Sequence, residues 1–248
     1  IIAVSLRPGD KLFTTDFELL PKDASIGNFS EVLFQTDFFV WLINSTIITL
    51  LTSFIGVSLA ATAAYALSRY PFKMRGKIIL FLMATQMMPA VMLLLPLYFM
   101  ISRLELIDTY AGVVIAYSMT TLPFCIWLLK GYFDTVPRSL EQAAQVDGLT
   151  EVQAFWRVVL PLSTPALAIA VLFCFTQAWN EYIVARVILQ STEYYTWTLG
   201  LFEMQGDFDT RWGMFAAASV LVTIPVVTLF LYSSKWLLKG LTLGSVKG

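Results

Sequence analysis

Five long stretches of the chain carry no charged residue: 38–68, 78–102, 109–129, 158–180 and 212–234. Each holds at least 21 residues, and 38–68 holds 31. A helix needs about 20 predominantly apolar residues to cross a bilayer, so the pattern predicts five complete membrane-spanning helices. Runs on the order of 10–14 residues would leave buried core helices open; these runs are too long for that. Barrel strands are excluded, because they alternate and are only about 10 residues long. The apolar stub at 1–5 reads as the end of a sixth helix. The expectation is therefore an all-α, polytopic transmembrane helical bundle of six helices, the first one truncated. It divides into the stub 1–5, an outer loop 6–37 and a transmembrane core 38–248.

Pro89, Pro96, Pro123 and Pro225 fall inside the apolar runs. Each removes a backbone hydrogen bond and can kink its helix, which membrane helices tolerate when neighbours re-satisfy the freed carbonyls. Plain packing geometry and the shaping of a moving pathway are both open readings. No internal repeat is visible.

The few charges set the orientation. The segment 69–77 carries Arg69, Lys73, Arg75 and Lys77 without an acid, and the tail carries Lys235, Lys239 and Lys247 without an acid. Lys and Arg accumulate on the cytoplasmic side, so both belong inside. Loops 102–108 and 186–211 then lie outside, and so by parity does 6–37. These outer segments are rich in Asp and Glu. The C-terminus is expected in the cytoplasm, in a multi-pass protein of the cytoplasmic (inner) membrane.

Composition agrees. Hydrophobic residues make up 58% and charged ones 13%, with mean hydropathy +0.73. Soluble domains run at about 45–50% apolar and about 25% charged, so an ordinary soluble enzyme and a disordered chain are excluded. A net charge of −1 gives no reason to expect a nucleic-acid partner. The chain has no His, the commonest general base and metal ligand, and no catalytic or metal-ligating set is assigned. Cys125 and Cys174 lie in apolar runs and read as small buried hydrophobes. The chain starts Ile-Ile-Ala-Val-Ser without Met, which reads as a fragment cut inside an apolar segment.

The longest inner segment, 131–163, is not a plain loop. Ser139 with Gln142, and Thr150 with Gln153, each match a capping box. Helix is expected through Val146, and Gly148 suits a left-handed C-terminal cap. Val152, Phe155, Trp156 and Val159 fall at i, i+3, i+4 and i+7, an apolar stripe that Pro161 closes. The segment reads as a compact helix–Gly–helix unit. Small Ala143 and Ala144 let another surface approach. An interfacial helix that caps the bundle and a docking element for a cytoplasmic partner fit the residues equally.

The same segment resembles the signature loop of binding-protein-dependent ABC importer permeases. That pattern is Glu-Ala-Ala, three residues, Gly, nine residues, Ile, one residue, Leu-Pro. Here it runs Gln142-Ala143-Ala144, Gly148, Val158, Leu160-Pro161, with matching spacing throughout. Gln142 stands where the family usually has Glu. The contact of that Glu is then replaced by an amide hydrogen bond or passes to neighbouring Glu141. Gln86-Met87-Met88-Pro89-Ala90-Val91, Lys130-Gly131-Tyr132-Phe133, Trp179-Asn180-Glu181 and the terminal Gly240-Leu241-Thr242 and Val246-Lys247-Gly248 look like the carbohydrate-uptake branch, and within it the maltose-type G permease subunits.

The resemblance implies an ABC type I importer permease fold and a transporter subunit rather than an enzyme. The cargo would be a sugar, in particular an oligosaccharide of maltodextrin- or trehalose-like type. It implies a second homologous permease subunit, two ATP-binding subunits that carry the ATP and Mg, and a periplasmic or lipid-anchored sugar-binding protein. This chain has no Walker motif, since Gly76-Lys77 lacks the upstream Gly and the following Ser or Thr. The implied ATPase-coupling surface is Ser139, Leu140, Glu141, Gln142, Ala143, Ala144, Asp147 and Gly148. Gly244, Ser245, Val246 and Lys247 correspond to a tail that reaches the ATPase subunits, with a frayed basic end as the other reading. The outer loop 186–211, with Tyr194, Tyr195, Trp197, Phe202, Gln205 and Phe208, corresponds to one that probes the binding protein. An aromatic interfacial belt is its other reading.

Polar residues inside the runs usually face a bundle interior. Asn44 and Gln86 suit interhelical hydrogen bonding or the pathway, and Asn180 and Glu181 lie near the outer end. An ion-coupled carrier would call for buried carboxylate relays or inverted repeats; Glu181, which closes the run 158–180, is the sole acid assigned to a span, and there is no repeat. A membrane-embedded enzyme would call for clustered His, Asp or Cys.

Overall fold

A computed structural model describes residues 1–8, 21, 23–205 and 210–244. Among these residues the secondary structure is helical and no strand forms. The chain runs α1 (Ile2–Ser5), α2 (Gly27–Gln35), α3 (Phe38–Arg69), α4 (Arg75–Gln86), α5 (Ala90–Arg103), α6 (Tyr110–Thr135) and α7 (Arg138–Val146). Then come α8 (Glu151–Ala154), a π-helical turn (Phe155–Val159), α9 (Leu160–Leu162), α10 (Thr164–Asn180), α11 (Ile183–Ile188), α12 (Trp197–Glu203) and α13 (Trp212–Gly244). The segment 6–37, expected as an outer loop, contains a helix of its own, α2, whose Asn28 is buried and donates to the carbonyls of Ser5 and Arg7.

Among the described residues three helices are long and apolar enough to span a membrane: Phe38–Arg69, Tyr110–Thr135 and Trp212–Ser234. The other two expected spans are bent pairs, which bring the number up to five if each pair is one span. Arg75–Gln86 and Val91–Arg103 meet at 107°, and Glu151–Leu162 and Thr164–Asn180 at 80°. The first bend is Pro89. It cannot donate to the preceding turn, and it disfavours helix at Met88. The amides of Met87 and Met88 close instead onto Ala84 and Thr85, and the Pro89 carbonyl starts the next helix by accepting from Met92. Pro96, Pro123 and Pro225 stay inside continuous helices, so of the four prolines only Pro89 breaks its run. The second bend is at buried Ser163, two residues beyond the expected stop at Pro161. The charge-free run 158–180 is thus not one straight helix, and its continuous part beyond the bend is Thr164–Asn180.

The chain divides into two compact units. One comprises Ile1–Ile48, Tyr98–Val113 and Trp179–Thr228; the other comprises Thr49–Leu97, Val114–Ala178 and Leu229–Gly248. In the second, Val57, Ala60, Ala61 and Ala64 on α3 meet Cys125, Leu129 and Phe133 of α6, Phe155 and Val159 of the π turn, and Ala166, Ala170 and Cys174 of α10. Small residues at helical spacing let helix backbones approach where lipid provides no hydrophobic drive. Both cysteines are buried free thiols, 3.2 Å apart, as their apolar context suggested.

In the first unit the core is aromatic. The indole of Trp179 donates to the Val222 carbonyl, and that of Trp197 donates to the Trp179 carbonyl at 2.7 Å. The Trp41 ring lies so close to Gly200 of α12 that a Cβ there would sit 2.0 Å from Trp41 Cε3. Gly200→Ala should therefore destabilise the protein by about 1–3 kcal/mol, the usual cost of overpacking. Thermal unfolding in detergent reads this, and an unchanged midpoint would contradict the packing.

Candidate functional site

The C-terminal end of α3 carries a polar network in the second unit. Chain direction there is fixed by Pro71, which stops α3 just beyond Arg69, and by Pro137, whose extended backbone (φ −60°, ψ 128°) turns the chain from α6 into α7. α6 continues to Thr135, so the first residues of the expected 131–163 segment belong to the span. Arg69 reaches three elements. Its Nε lies 2.6 Å from Glu141 Oε1 on α7, an ion pair rather than an aligned hydrogen bond. Its terminal nitrogens donate to Ser68 Oγ at 3.2 Å and to the Val136 carbonyl at 3.1 Å. Both partners of the pair are less than a tenth exposed. The hydroxyl of Tyr65 donates to the other oxygen of Glu141 at 2.8 Å. Arg138 donates to the Ser68 carbonyl, and Ser68 Oγ donates to Asp134, which also pairs with Lys130.

Glu141 is the one buried residue of α7. A surface helix ordinarily buries an apolar stripe; this one is fastened through a carboxylate. Isolated helices shorter than about 12–15 residues are marginal in water, so a nine-residue helix depends on that fastening. Ser139, Leu140, Gln142, Ala143 and Asp147 are exposed, and Ala144 is half-buried. Burial removes Glu141 from the expected outward surface. Both its oxygens are engaged within the chain, by Arg69 and Tyr65.

The caps are only partly those expected. Pro137 occupies the N-cap position of α7 and no side chain caps it, so Ser139 and Gln142 lie within the helix and form no box. Proline at this position already holds the extended conformation that a capping residue would adopt. At the other end Gly148 has φ +91°, and the amides of Gly148 and Leu149 close onto the carbonyls of Gln145 and Ala144. This is the left-handed stop that glycine permits. The Thr150–Gln153 box forms, with bonds of 3.0 and 3.2 Å. Beyond it the apolar stripe splits. Phe155 and Val159 are buried, whereas Val152 and Trp156 are 66% and 59% exposed. The i→i+5 winding of the π turn keeps residues four apart aligned and separates those three apart.

Between α3, α7 and α8 lies a polar cleft of about 240 Å³, lined by Tyr65, Arg69, Tyr70, Arg138, Glu141, Gln142, Gln145 and Glu151. Tyr70 donates to Glu151 at 2.6 Å. That bond to a carboxylate pushes its phenol above the usual value, with burial adding to it.

The other expected residues fall mostly in the first unit. Asn44 is buried and fully used. Its amide donates to the carbonyls of Glu193 and Tyr195 at 2.8 and 2.9 Å, and its oxygen accepts from Tyr110 at 2.7 Å. Ser45 Oγ accepts from the Trp197 amide. Tyr195 is buried, its hydroxyl accepting from Arg186. Trp197 is half-buried, and Tyr194 packs edge-on to Tyr110. Gln205 and Phe202 are exposed, and Phe208 lies outside the described residues. Glu181 Oε1 accepts from the Val184 amide and its carbonyl from Thr198, while Asn180 ends α10 exposed. In the second unit Gln86 is exposed and donates to the Thr120 carbonyl. Gly244 ends α13; Ser245, Val246 and Lys247 lie outside the described residues.

The segment 189–196 is also clipped by Asp108, which sits at φ 59°. Its carboxylate accepts from the amides of Gln190 and Ser191 at 2.9 and 3.0 Å and from the Ser191 hydroxyl. Burial pushes this carboxyl up, but the Ser191 and Gln190 bonds outweigh it and hold it below the usual carboxylate value. Among the described residues no group of three or more His, Cys, Asp or Glu comes together to hold a metal.

Residues 54–242 match the family model of the binding-protein-dependent transport system inner membrane component. The chain belongs to this family. Over 267 residues it is 37% identical to the maltose/maltodextrin transport system permease protein MalG of Yersinia pestis, covering all of this chain and 87% of that protein. It is 30% identical to the sulfoquinovosyl glycerol transport system permease protein SmoH of Agrobacterium fabrum, covering all of this chain and 87% of the relative. A crystal structure of a bacterial ABC transporter involved in the import of the acidic polysaccharide alginate contains a chain that superposes with TM-score 0.83 at 26% identity, covering 94% of this chain and 87% of that one. The protein is thus a multi-pass permease subunit of an ABC importer in the inner membrane, working with a binding protein. It is not an enzyme, and ATP hydrolysis belongs to a separate subunit.

Sequence reasoning did not anticipate Arg69, Tyr65 and Ser68 as the anchor of α7, nor Asn44 as the anchor of the outer segment. The available signals were the charge of Arg69 that closes the run 38–68 and the amide of Asn44 inside that run. Two outcomes follow. Glu141→Ala leaves Arg69 buried and unpaired and should cost about 3–5 kcal/mol, with much of it recovered in Arg69→Met/Glu141→Leu; thermal unfolding of the three proteins decides. Asp108, lowered on folding, contributes stability that is present above its unfolded pKa and lost as pH falls through the lower folded one. Stability of the parent protein should therefore decline below about pH 4, and Asp108→Asn should flatten the decline in a pH series of unfolding midpoints.

Proposed function

We propose that this chain forms half of the translocation pathway of an ATP-driven oligosaccharide importer and is driven through the outer surface of α7. The observation that carries the reading is the division of α7: Glu141 is held inward by Arg69 and Tyr65, while Ser139, Leu140, Gln142 and Ala143 face out. A short helix fixed at its back and open at its front suits a groove on a cytoplasmic ATP-binding subunit. Two such subunits would carry ATP and Mg, and a second homologous permease would supply the other half of the pathway. With the C-terminus in the cytoplasm, the tail residues Gly244, Ser245, Val246 and Lys247 are assigned a contact role toward the ATPases from the sequence resemblance alone.

On the outer side the binding protein, periplasmic or lipid-anchored, meets the loop around 194–205. Its exposed members Phe202 and Gln205 offer an aromatic face and an amide, chemistry suited to a sugar-binding cleft. Tyr195 and Trp197 hold the loop in shape from behind. Asn44 belongs to this scaffold, since its hydrogen-bonding groups are engaged. The cargo class is supported by the relatives, whose names cite maltose or maltodextrin, sulfoquinovosyl glycerol and alginate. All are polyhydroxylated glycosides. The similarity to the MalG protein favours a maltodextrin-type oligosaccharide, with a trehalose-like sugar next.

The test is reconstitution with the partner subunits. Ala143→Trp should leave the thermal unfolding midpoint unchanged and lower binding-protein-stimulated ATPase activity about tenfold, equivalent to ~1.4 kcal/mol of lost docking. Full activity in this variant would remove α7 as the docking surface. Stimulation by binding protein loaded with maltotriose is expected, and stimulation only by an unrelated cargo would overturn the sugar assignment.

A further inference from the structure

A second groove lies in the same unit, away from the polar cleft. It has a volume of about 470 Å³ and is formed by α4, α6 and α10. Its wall is apolar: Ile79, Trp127, Leu128, Ala166 and Ile169. It lies on the protein surface, since Trp127 is 45% exposed and Ile169 36%. Gly131 contributes no side chain, and a Cβ placed there would meet nothing within 4 Å. An elongated apolar group can therefore run along α6 past this residue.

One end of the groove is polar and cationic. Lys130 and Tyr132 line it, and Arg75 stands one helical turn before Ile79. Arg75 and Lys130 flank a single carboxylate, Asp134, at 3.6 and 2.5 Å. Two cations therefore share one anion and leave one positive charge in excess, on side chains 31% and 21% exposed. Lys73 and Lys77 of the acid-free segment 69–77 add to the positive field. Long cationic side chains near a helix end place their charge at the membrane interface, and basic pockets between spanning helices suit lipid headgroups.

We propose that this groove binds an anionic glycerophospholipid. An acyl chain lies along Trp127, Gly131 and Ile169, and the headgroup phosphate meets Lys130 and Arg75. An apolar segment of another protein would have no use for the uncompensated cation at the groove's end, whereas a phosphodiester neutralises it. The groove shares no lining residue with the polar cleft beside α7.

Brominated lipids quench tryptophan fluorescence on contact, so Trp127 reports occupancy. The assembled transporter is placed in phosphatidylcholine bilayers containing a small fraction of dibrominated phosphatidylglycerol or, separately, dibrominated phosphatidylcholine. The contribution of Trp127 is the difference between the parent protein and Trp127→Phe. Brominated phosphatidylglycerol should quench it with about fivefold higher relative association, the effect of one cation near a membrane surface. Lys130→Gln should reduce that preference. Gly131→Phe, whose Cβ would meet nothing within 4 Å, puts a ring into the groove and should abolish quenching by either lipid beyond the bulk level. Equal quenching of the parent protein by the two lipids would overturn the proposal, leaving ordinary hydrocarbon exposure. No quenching by either would overturn it too, since another polypeptide would then cover the groove. An anionic preference that persists in Gly131→Phe would equally contradict it.

Discussion

The buried ion pair between Arg69 and Glu141 is the contact on which the junction of α3 and α7 depends. A carboxylate and a guanidinium withdrawn from water each forfeit several kcal/mol of solvation, so such a pair persists only where further hydrogen bonds satisfy both groups. Tyr65 supplies one to Glu141, and Ser68 and the Val136 carbonyl supply two to Arg69. The geometry is demanding, and that demand gives the pair its structural meaning. An apolar stripe would let α7 slide or roll by a few degrees at little cost. A bonded carboxylate facing a fixed arginine permits one placement. The last turn of α3 and the nine-residue helix α7 are thereby fixed to each other.

The same logic recurs in the other unit with neutral groups. Asn44 spends both amide hydrogens on the carbonyls of Glu193 and Tyr195 and its oxygen on Tyr110. Asp108 holds the neighbouring backbone from the other side. In each unit, then, a polar side chain on α3 fixes an irregular or short segment whose exposed residues remain available. In a chain with only 33 charged residues of 248, such groups are expensive to bury, and they occur where a segment has too little apolar surface to hold itself.

Much of the architecture was legible in the charge-free runs, because hydrocarbon thickness imposes a minimum length that chance rarely meets. The lengths could not reveal direction changes inside a run. Pro89 and Pro96 are the same residue type within one run, yet only Pro89 breaks it. What decides is whether neighbouring packing re-satisfies the freed carbonyls, a tertiary property. The signature spacing from Gln142 to Pro161 located the short helix α7 and its Gly148 stop, since a left-handed stop needs glycine there. It gave no account of Glu141. A single acid beside the motif reads equally as surface charge or buried anchor, and only the arrival of Arg69 from a residue 72 positions earlier distinguishes them. The apolar stripe 152–159 was misread for a related reason: the 3.6-residue period assumed for it gives way to a π turn, which periodicity does not signal.

If α7 transmits motion from the ATP-binding subunits to α3, the decisive quantity is the number of sugar molecules transported per ATP hydrolysed by the reconstituted complex. In Arg69→Met/Glu141→Leu the helix remains folded and its outward face is unchanged, but the fixed joint to α3 is gone. The account predicts that ATP hydrolysis continues while transport per ATP falls several-fold. An unchanged ratio would show that the buried pair merely stabilises the fold and that motion reaches the membrane by another route.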